Sequence, residues 1–466
     1  MGALRMTRRL AVVTVVTVAL LAPSLAAPAR TILVPRTMAG SAVLTSSEPR
    51  ALLQFRPSHI AFSWIGDEGT GVRYRTVSSN RDVSRWRRAP EAHDAERGNH
   101  HFTAMLTVDR PVGIEYEPIA PPRTTMSDVT LDYLNTVDGP SETFVVPAVG
   151  YGAAHAAAET PAVVTRAEWG ADESLKRTAG SCRRRFFDVQ QLFVHHTAGS
   201  NNDPDPFATM RAIYWYHTVR QGWCDVGYNF VVSEDGTVFE GRWARRYAPW
   251  ETHSSENLDN EAVAGAHVSG YNSGSVGVSV MGNFSRVRPS PMIRQALAEF
   301  LAWEADRHDL DPMAKHTYVN PETGVTRSMM VIAGHRAAGQ TECPGTYLGK
   351  ALAEIRRDTA LVMGEGKATT ALTLTASSSS VRAGDTVEYT GQLTDGAGTA
   401  LISQPVTLYQ RLKGGRWAAA GEVLTGIDGS YRFSTTATAT VTTRAVYSGS
   451  TSSWGSQSEN VRVKVT

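Results

Sequence analysis

The sequence predicts a multidomain chain. A central α/β domain, a mixed β-sheet flanked by helices, sits between an N-terminal β-rich domain and a C-terminal immunoglobulin-like β-sandwich. Three observations predict this. At 466 residues the chain is too long for one ordinary domain, and roughly three is the expectation. Apolar and polar residues alternate with the strand period from about Ala51 to Pro147 and again from Thr370 to Thr466. Between these stretches, short apolar strands alternate with segments of helical spacing, the pattern of a sheet covered on its faces.

Taken in order, residues 1–29 read as a secretory signal peptide. Arg5, Arg8 and Arg9 precede an apolar run from Leu10 to Leu21, and Pro23 ends it. Ser24-Leu25-Ala26 and Ala27-Pro28-Ala29 are the candidate cleavage sites. The run is short for a bilayer span of about 20 residues, and no later segment is long and apolar enough, so no stable membrane insertion is expected after cleavage. The net charge of +1 comes without a concentrated basic face, which argues against a nucleic-acid partner.

Arg30 to Glu48 reads as an extended, weakly structured lead-in. Residues 50–147 are expected to be the β-rich domain, with strands at Ile60–Trp64, Val72–Val77, Phe102–Val108 and Val112–Tyr116. Trp64, Tyr74 and Trp86 there are expected to be core mass rather than platforms for sugar rings. Residues 148–162, rich in Ala and Gly, read as a linker.

The central domain covers residues 163–363. Gln191–His195 is a short apolar strand. Asp205 caps a helix over Pro206–Arg220, with Pro206 at its first position. Tyr228–Val232 is a strand that turns at Glu234–Thr237 into Val238–Glu240. Val276–Met281 is another, and Ser290 with Pro291 opens a helix whose stripe is Ile293, Leu297, Phe300 and Leu301. Met329–Ala333 is the last strand and Leu348–Val362 the closing helix. A polar hinge at 364–369 leads to the sandwich at 370–466, where Asp428-Gly429 signals a hairpin.

Three cysteines, in an exported chain, leave one thiol over. Pairing Cys182 with Cys224 keeps Cys343 for metal, and any bridge to Cys343 would remove that ligand. Cys343 belongs with His195 and His335, because two imidazoles and a thiolate leave one corner of a tetrahedron for water, as catalytic Zn2+ requires. Neighbours on a strand face opposite ways, so His195 and His196 do not share one ion. The residues alone leave open which of the two is the ligand.

Arg166–Ala171, His195–Thr197, Gly222–Phe230, Asp235–Arg242, Gly265–His267, Tyr271-Asn272, Ser275–Val278, Gly334–Arg336 and Thr341–Gly345 together resemble the peptidoglycan recognition protein family. That family includes the type 2 N-acetylmuramoyl-L-alanine amidases and phage T7 lysozyme. The resemblance covers about Val163 to Leu361. It implies His195, His335 and Cys343 as zinc ligands, and Tyr228 as a tyrosine that assists catalysis near the metal. Thr341 falls at a further catalytic position, and His267, Trp243, Tyr271 and Asn272 are candidate substrate contacts. Here Trp243 follows Arg242 directly, where the family commonly has Gly-Trp, and Ala244 to Val263 is longer than usual. His217 is expected to be a packing histidine, and Asp225 and Asn229 structural. The implied partner is peptidoglycan, and the implied reaction is cleavage of the lactyl-L-alanine amide. Members without the cysteine bind without cutting, so the alternative is a non-catalytic peptidoglycan receptor or wall-adhesion protein.

Overall fold

The computed structural model describes residues 30–45, 49–92, 98–146, 161–248, 251–364, 368–412, 417–450, 453 and 455–466. The signal peptide expected at 1–29, nearly all of the linker expected at 148–162 and the middle of the hinge at 364–369 lie outside the described residues. Among the described residues no helix is long and apolar enough to cross a membrane.

The chain is multidomain, with a central α/β unit and β-rich flanks. Before the central unit, one sheet orders Met38–Val43, Met126–Asn135, His59–Gly66 and His100–Phe102 side by side, and a second orders Arg50–Leu52, Gly113–Ile119, Gly71–Val77 and Arg87–Arg88. Their inner faces bury Ile60, Phe62, Trp64, Val72, Tyr74, Tyr116, Leu131 and Tyr133 in one cluster. Trp64 and Tyr74 are therefore core, and Arg73 and Arg75 lie over the Trp86 ring. The lead-in expected to be weakly structured instead forms two strands. Arg30–Pro35 pairs antiparallel with Ser141–Val146, and Met38–Val43 pairs with Met126–Asn135. A partner so far along the chain leaves no local signature. Phe102–Val108 is likewise broken in two, His100–Phe102 and Leu106–Thr107 pairing at different points along His59–Gly66.

In the central unit the strands are β1 Val163–Val164, β2 Gln191–His196, β3 Phe230–Val232, β4 Val238–Glu240, β5 Ser275–Val280 and β6 Ile332–Gly334. The helices are α1 Arg166–Trp169, α2 Pro206–Trp215, α3 Pro291–Arg307 and α4 Thr346–Gly364. The strand order is β1-β4-β3-β5-β2-β6. Only β3 and β4 run antiparallel, so the sheet is mixed. Residues of β2 and β5 are buried on both faces, as strands covered by helices are.

The helix starts follow from their caps. Asp205 accepts from the Ala208 N–H, and Ser290 from the Ile293 N–H, each ahead of a proline. Thr165 and Glu168 form a reciprocal capping box on α1. The helix expected over Pro206–Arg220 widens after Trp215 into a π-helical turn over Tyr216–Arg220. The expected strand Met329–Ala333 is divided. Met329 lies in a hairpin of Lys315–Val319 with Thr326–Met330, and Ile332–Gly334 enters the main sheet. The main apolar core packs α3 and α4 on β2, β3 and β5 through Phe230, Val278, Leu297, Phe300, Leu301, Leu348 and Ile355.

The C-terminal part holds a four-stranded and a six-stranded sheet around Leu393, Val406, Leu408, Tyr389, Ala445, Tyr447 and Val463. Asp428-Gly429 does not close a hairpin as expected. Ala418–Leu424 pairs with Pro405–Leu412, while Ser430–Thr436 pairs with Thr386–Asp395, so the turn crosses between sheets. Gly429 has φ +76°, which the tight turn needs.

Candidate functional site

The parallel pairing of β2 with β6 sets Val194 opposite Gly334. One step further along both chains brings His195 beside His335, the first residue of a short 3-10 turn, with ring centroids 4.9 Å apart. The loop after that turn then folds back. The Arg336 N–H donates to the Cys343 carbonyl at 3.0 Å, and the Thr341 hydroxyl accepts from the Cys343 N–H at 3.1 Å. Cys343 Sγ ends 3.6 Å from His195 Nδ1. Gly345, at φ +87°, passes so close to Phe284 that a Cβ would come within 2.5 Å of its backbone, so the return needs glycine.

One donor atom from each of His195, His335 and Cys343 lies within 4.8 Å of the other two, and all three side chains are buried. Two imidazoles and a sulfur at this spacing suit zinc or a similar soft divalent ion, with a fourth position left for water. His196 faces the other way, as alternation requires. Its Nδ1 accepts from the Phe284 N–H at 3.2 Å. The choice the sequence left open is thus made by the pleat.

His267 adjoins the cluster. Its Nδ1 lies 3.1 Å from His195 Nε2, with ring centroids 5.0 Å apart. The ring crosses β5 where Gly277 leaves room, since a Cβ there would approach the imidazole to 2.5 Å. Tyr228 precedes β3 and places its ring 5.4 Å from that of His195. His217 accepts from the Gly227 N–H at 3.2 Å and packs on Trp223 at 4.6 Å, as expected of a packing histidine.

Other candidates are engaged elsewhere. The Asn272 side-chain oxygen accepts from the His267 and Val268 N–H groups, so it shapes the turn that carries His267. Lys176 and Arg184 both lie over the Trp243 ring, at 4.3 and 4.2 Å. Tyr271 is half-buried, with its ring against Tyr318. Thr341, besides holding the Cys343 N–H, is half-buried at the loop.

The frame behind the cluster is polar and closed. Buried Arg166 donates to Asp225, Glu173 and the Gly241 carbonyl, and these carboxylates hold its guanidinium charged despite burial. Asp225 also accepts from the Val226 and Trp243 N–H groups. Asn229 joins β5 to Val263 by accepting from the Gly277 N–H and donating to the Val263 carbonyl. Cys182 and Cys224 are joined as a disulfide. A second donor group, Glu256, Glu304 and His308, also lies within 4.8 Å. There Arg307 already pairs with Glu256. Burial opposes charge on His308, yet the Glu256 and Glu304 carboxylates, 3.0 and 3.6 Å from its Nε2, outweigh it and hold the imidazole up to about 9. That group is an internal ion network.

Nothing in the sequence places the first flank near this centre. In the structure Ala104, Met105 and Thr107 border the same cavity as Tyr228 and His217. No local pattern marks a surface that becomes a wall only on docking.

The family profile described as N-acetylmuramoyl-L-alanine amidase matches residues 185–346. Peptidoglycan recognition protein 1 of Bos taurus is 35% identical over 208 residues, spanning 43% of this chain and 86% of the relative. Peptidoglycan-recognition protein SC1a of Drosophila melanogaster is 30% identical over 188 residues, 40% of this chain and 81% of its own. The N-acetylmuramoyl-L-alanine amidase of Homo sapiens is 30% identical over 192 residues, 40% of this chain and 27% of its own. Among solved structures, wild-type PGRP-LB of Drosophila is 25% identical, covering 42% of this chain and 94% of its own, with a TM-score of 0.31.

Proposed function

The chain belongs to the family of peptidoglycan recognition proteins and N-acetylmuramoyl-L-alanine amidases, and from that premise we propose that it is a secreted, zinc-dependent amidase of peptidoglycan. The bond cut is the amide between the lactyl group of N-acetylmuramic acid and the L-alanine of the stem peptide. One observation carries the reading: the donor atoms of His195, His335 and Cys343 reach a common point beside Tyr228. A binding protein without turnover has no need of that open set.

Zinc held by these three would polarise the scissile carbonyl and lower the pKa of its water to about 7. The chain's own residues do the rest. His267 fixes the His195 imidazole through the contact at Nε2. Tyr228 donates its hydroxyl proton to the oxygen that gains charge as the carbonyl is attacked. Thr341 acts by holding the Cys343 loop. Burial of the cluster excludes bulk water. We place the C-terminal sheets in the immunoglobulin-like β-sandwich class, on two sheets packed around one apolar core.

The test is mass analysis of products from purified peptidoglycan. Free stem peptides beginning in alanine are expected, and Cys343→Ala or a chelator abolishes them. Wall sedimentation without released peptide would support the receptor instead. Tyr228→Phe should lower kcat by about 10²-fold or more with metal content unchanged, the loss expected for one oxyanion donor. An unchanged kcat would remove Tyr228 from the mechanism.

A further inference from the structure

A cleft of about 810 Å³ opens between the central unit and the last flank, and none of His195, His335 and Cys343 borders it. Asp203, Glu234 and Asp235 line it from the central unit, and Arg411 and Arg444 from the last flank. The volume is that of a pocket for a short peptide.

The charges on both walls are held in place. Glu234 accepts from the Asn201 side-chain amide at 3.1 Å and from the Asn202 and Asp203 N–H groups. Asp203 accepts from the Asp205 N–H at 3.1 Å, and Asp235 from the Thr237 N–H at 3.1 Å. Opposite them, the Trp417 ring lies under both guanidiniums, Arg411 at 4.8 Å and Arg444 at 4.3 Å. Yet among the described residues none of these five charges forms an ion pair. Asp203 Oδ2 and Arg444 Nε are buried without a hydrogen-bond partner, as is Gln457 Oε1 on the same cleft. Burial pushes the Asp203 and Glu234 carboxyls up and the Arg444 guanidinium down. Each wall therefore gains by meeting a charge of the other sign. The walls do not meet each other, and a ligand bearing both signs satisfies both at once.

Amide hydrolysis makes such a ligand. Water adds across the C–N bond, the lactyl carbonyl leaves as a carboxylate and the alanine nitrogen as an ammonium. In the uncut substrate that nitrogen is a neutral amide. We propose that the cleft binds the released stem peptide, with its new ammonium against Asp203, Glu234 and Asp235 and its carboxylate against Arg411 and Arg444. The inference rests on the amidase reading for the source of the peptide, and its test needs no turnover.

The experiment is calorimetric titration of the full-length protein with tetraalanine in three forms: free at both ends, N-acetylated, and C-terminally amidated. The free peptide should bind at least about tenfold more tightly than either blocked form, the worth of a hydrogen bond to a charged group. Glu234→Gln with Asp235→Asn should erase the preference over the acetylated form and keep that over the amide. Arg411→Gln with Arg444→Gln should do the reverse, a split that general damage to the cleft does not produce. Cys343→Ala should bind as the wild type does, which places the peptide outside the metal site. Equal affinity for the three forms, or preferences that survive both pairs of substitutions, would overturn the proposal. A chain that binds the free peptide as described, yet releases none from peptidoglycan, removes the amidase reading and the peptide's source while the pairing of charges stands.

Discussion

The two β-rich flanks meet the central unit in opposite ways. The first docks as a core does. Alongside the shared cluster around Ile213 and Leu134, His59 Nε2 lies 2.8 Å from the Thr209 hydroxyl, Arg211 donates to the Thr136 carbonyl at 2.8 Å, and Arg220 pairs with buried Asp132. The last flank meets α3 through Pro291 and the strand Ser456–Gln457. Beside that contact opens a cleft of about 810 Å³, with Asp203, Glu234 and Asp235 on one wall and Arg411, Trp417 and Arg444 on the other. Apolar contact backed by directed hydrogen bonds fixes a relative position. A wide cleft lined by opposite charges leaves one more dependent on salt. The first flank is thus part of the folding unit that holds the His195–His335–Cys343 cluster, and the last is an appended module.

The contrast can be broken at three strengths. Arg220→Ala leaves the Asp132 carboxylate buried and uncompensated, and should cost about 3–5 kcal/mol in denaturant unfolding. A cost below about 1 kcal/mol would put the two flanks on an equal footing. Acid should act next. Burial, aided by the Arg211 charge, depresses the His59 imidazole from its ordinary 6.5 to about 3. The unfolded chain therefore binds a proton that the folded one refuses, and stability falls as pH drops from 6.5 toward 3. At pH 5 the loss is about 2 kcal/mol. Unfolding curves should show the wild type losing about 2 kcal/mol relative to His59→Gln between pH 7 and pH 5, the comparison cancelling groups such as His308 that titrate in both. The smallest effect belongs to the last flank. Trp417 lies under Arg411 and Arg444, at 4.8 and 4.3 Å. Trp417→Ala should cost at most about 1 kcal/mol and leave kcat/KM on a soluble muramoyl peptide unchanged. A fall in that rate would make the last flank part of the catalytic unit too.

What could be read from the sequence divides along a similar line. Asp205-Pro206 and Ser290-Pro291 announce α2 and α3 because a cap is a contact across three residues. The metal trio was legible because its residue types are rare in that combination and sit in recognisable blocks. Choosing His195 over His196 needed the family likeness; in the structure the same choice follows from pleat and register. Arg30–Pro35 escaped notice because its partner is Ser141–Val146, and pairing over such a distance has no period. Asp428-Gly429 misled because a tight turn looks the same whether it closes a hairpin or carries the chain to another sheet. Thr341, Trp243 and Asn272 sit in the blocks that carry the family likeness, and their contacts to the Cys343 loop, to Lys176 and Arg184, and to the His267 turn are tertiary and left no mark in the sequence. Met105 carried no signal, since an apolar residue that will face another domain looks like any core residue.

Adjacent His195 and His196 on a strand buried on both faces have a consequence for how the chain folds. If β2 slid by a single residue against β5 and β6, every side chain would change faces. His196 would then turn toward Cys343, and His195 toward Phe284. The register of β2 against β5 and β6 therefore decides which of two adjacent imidazoles meets Cys343 and His335.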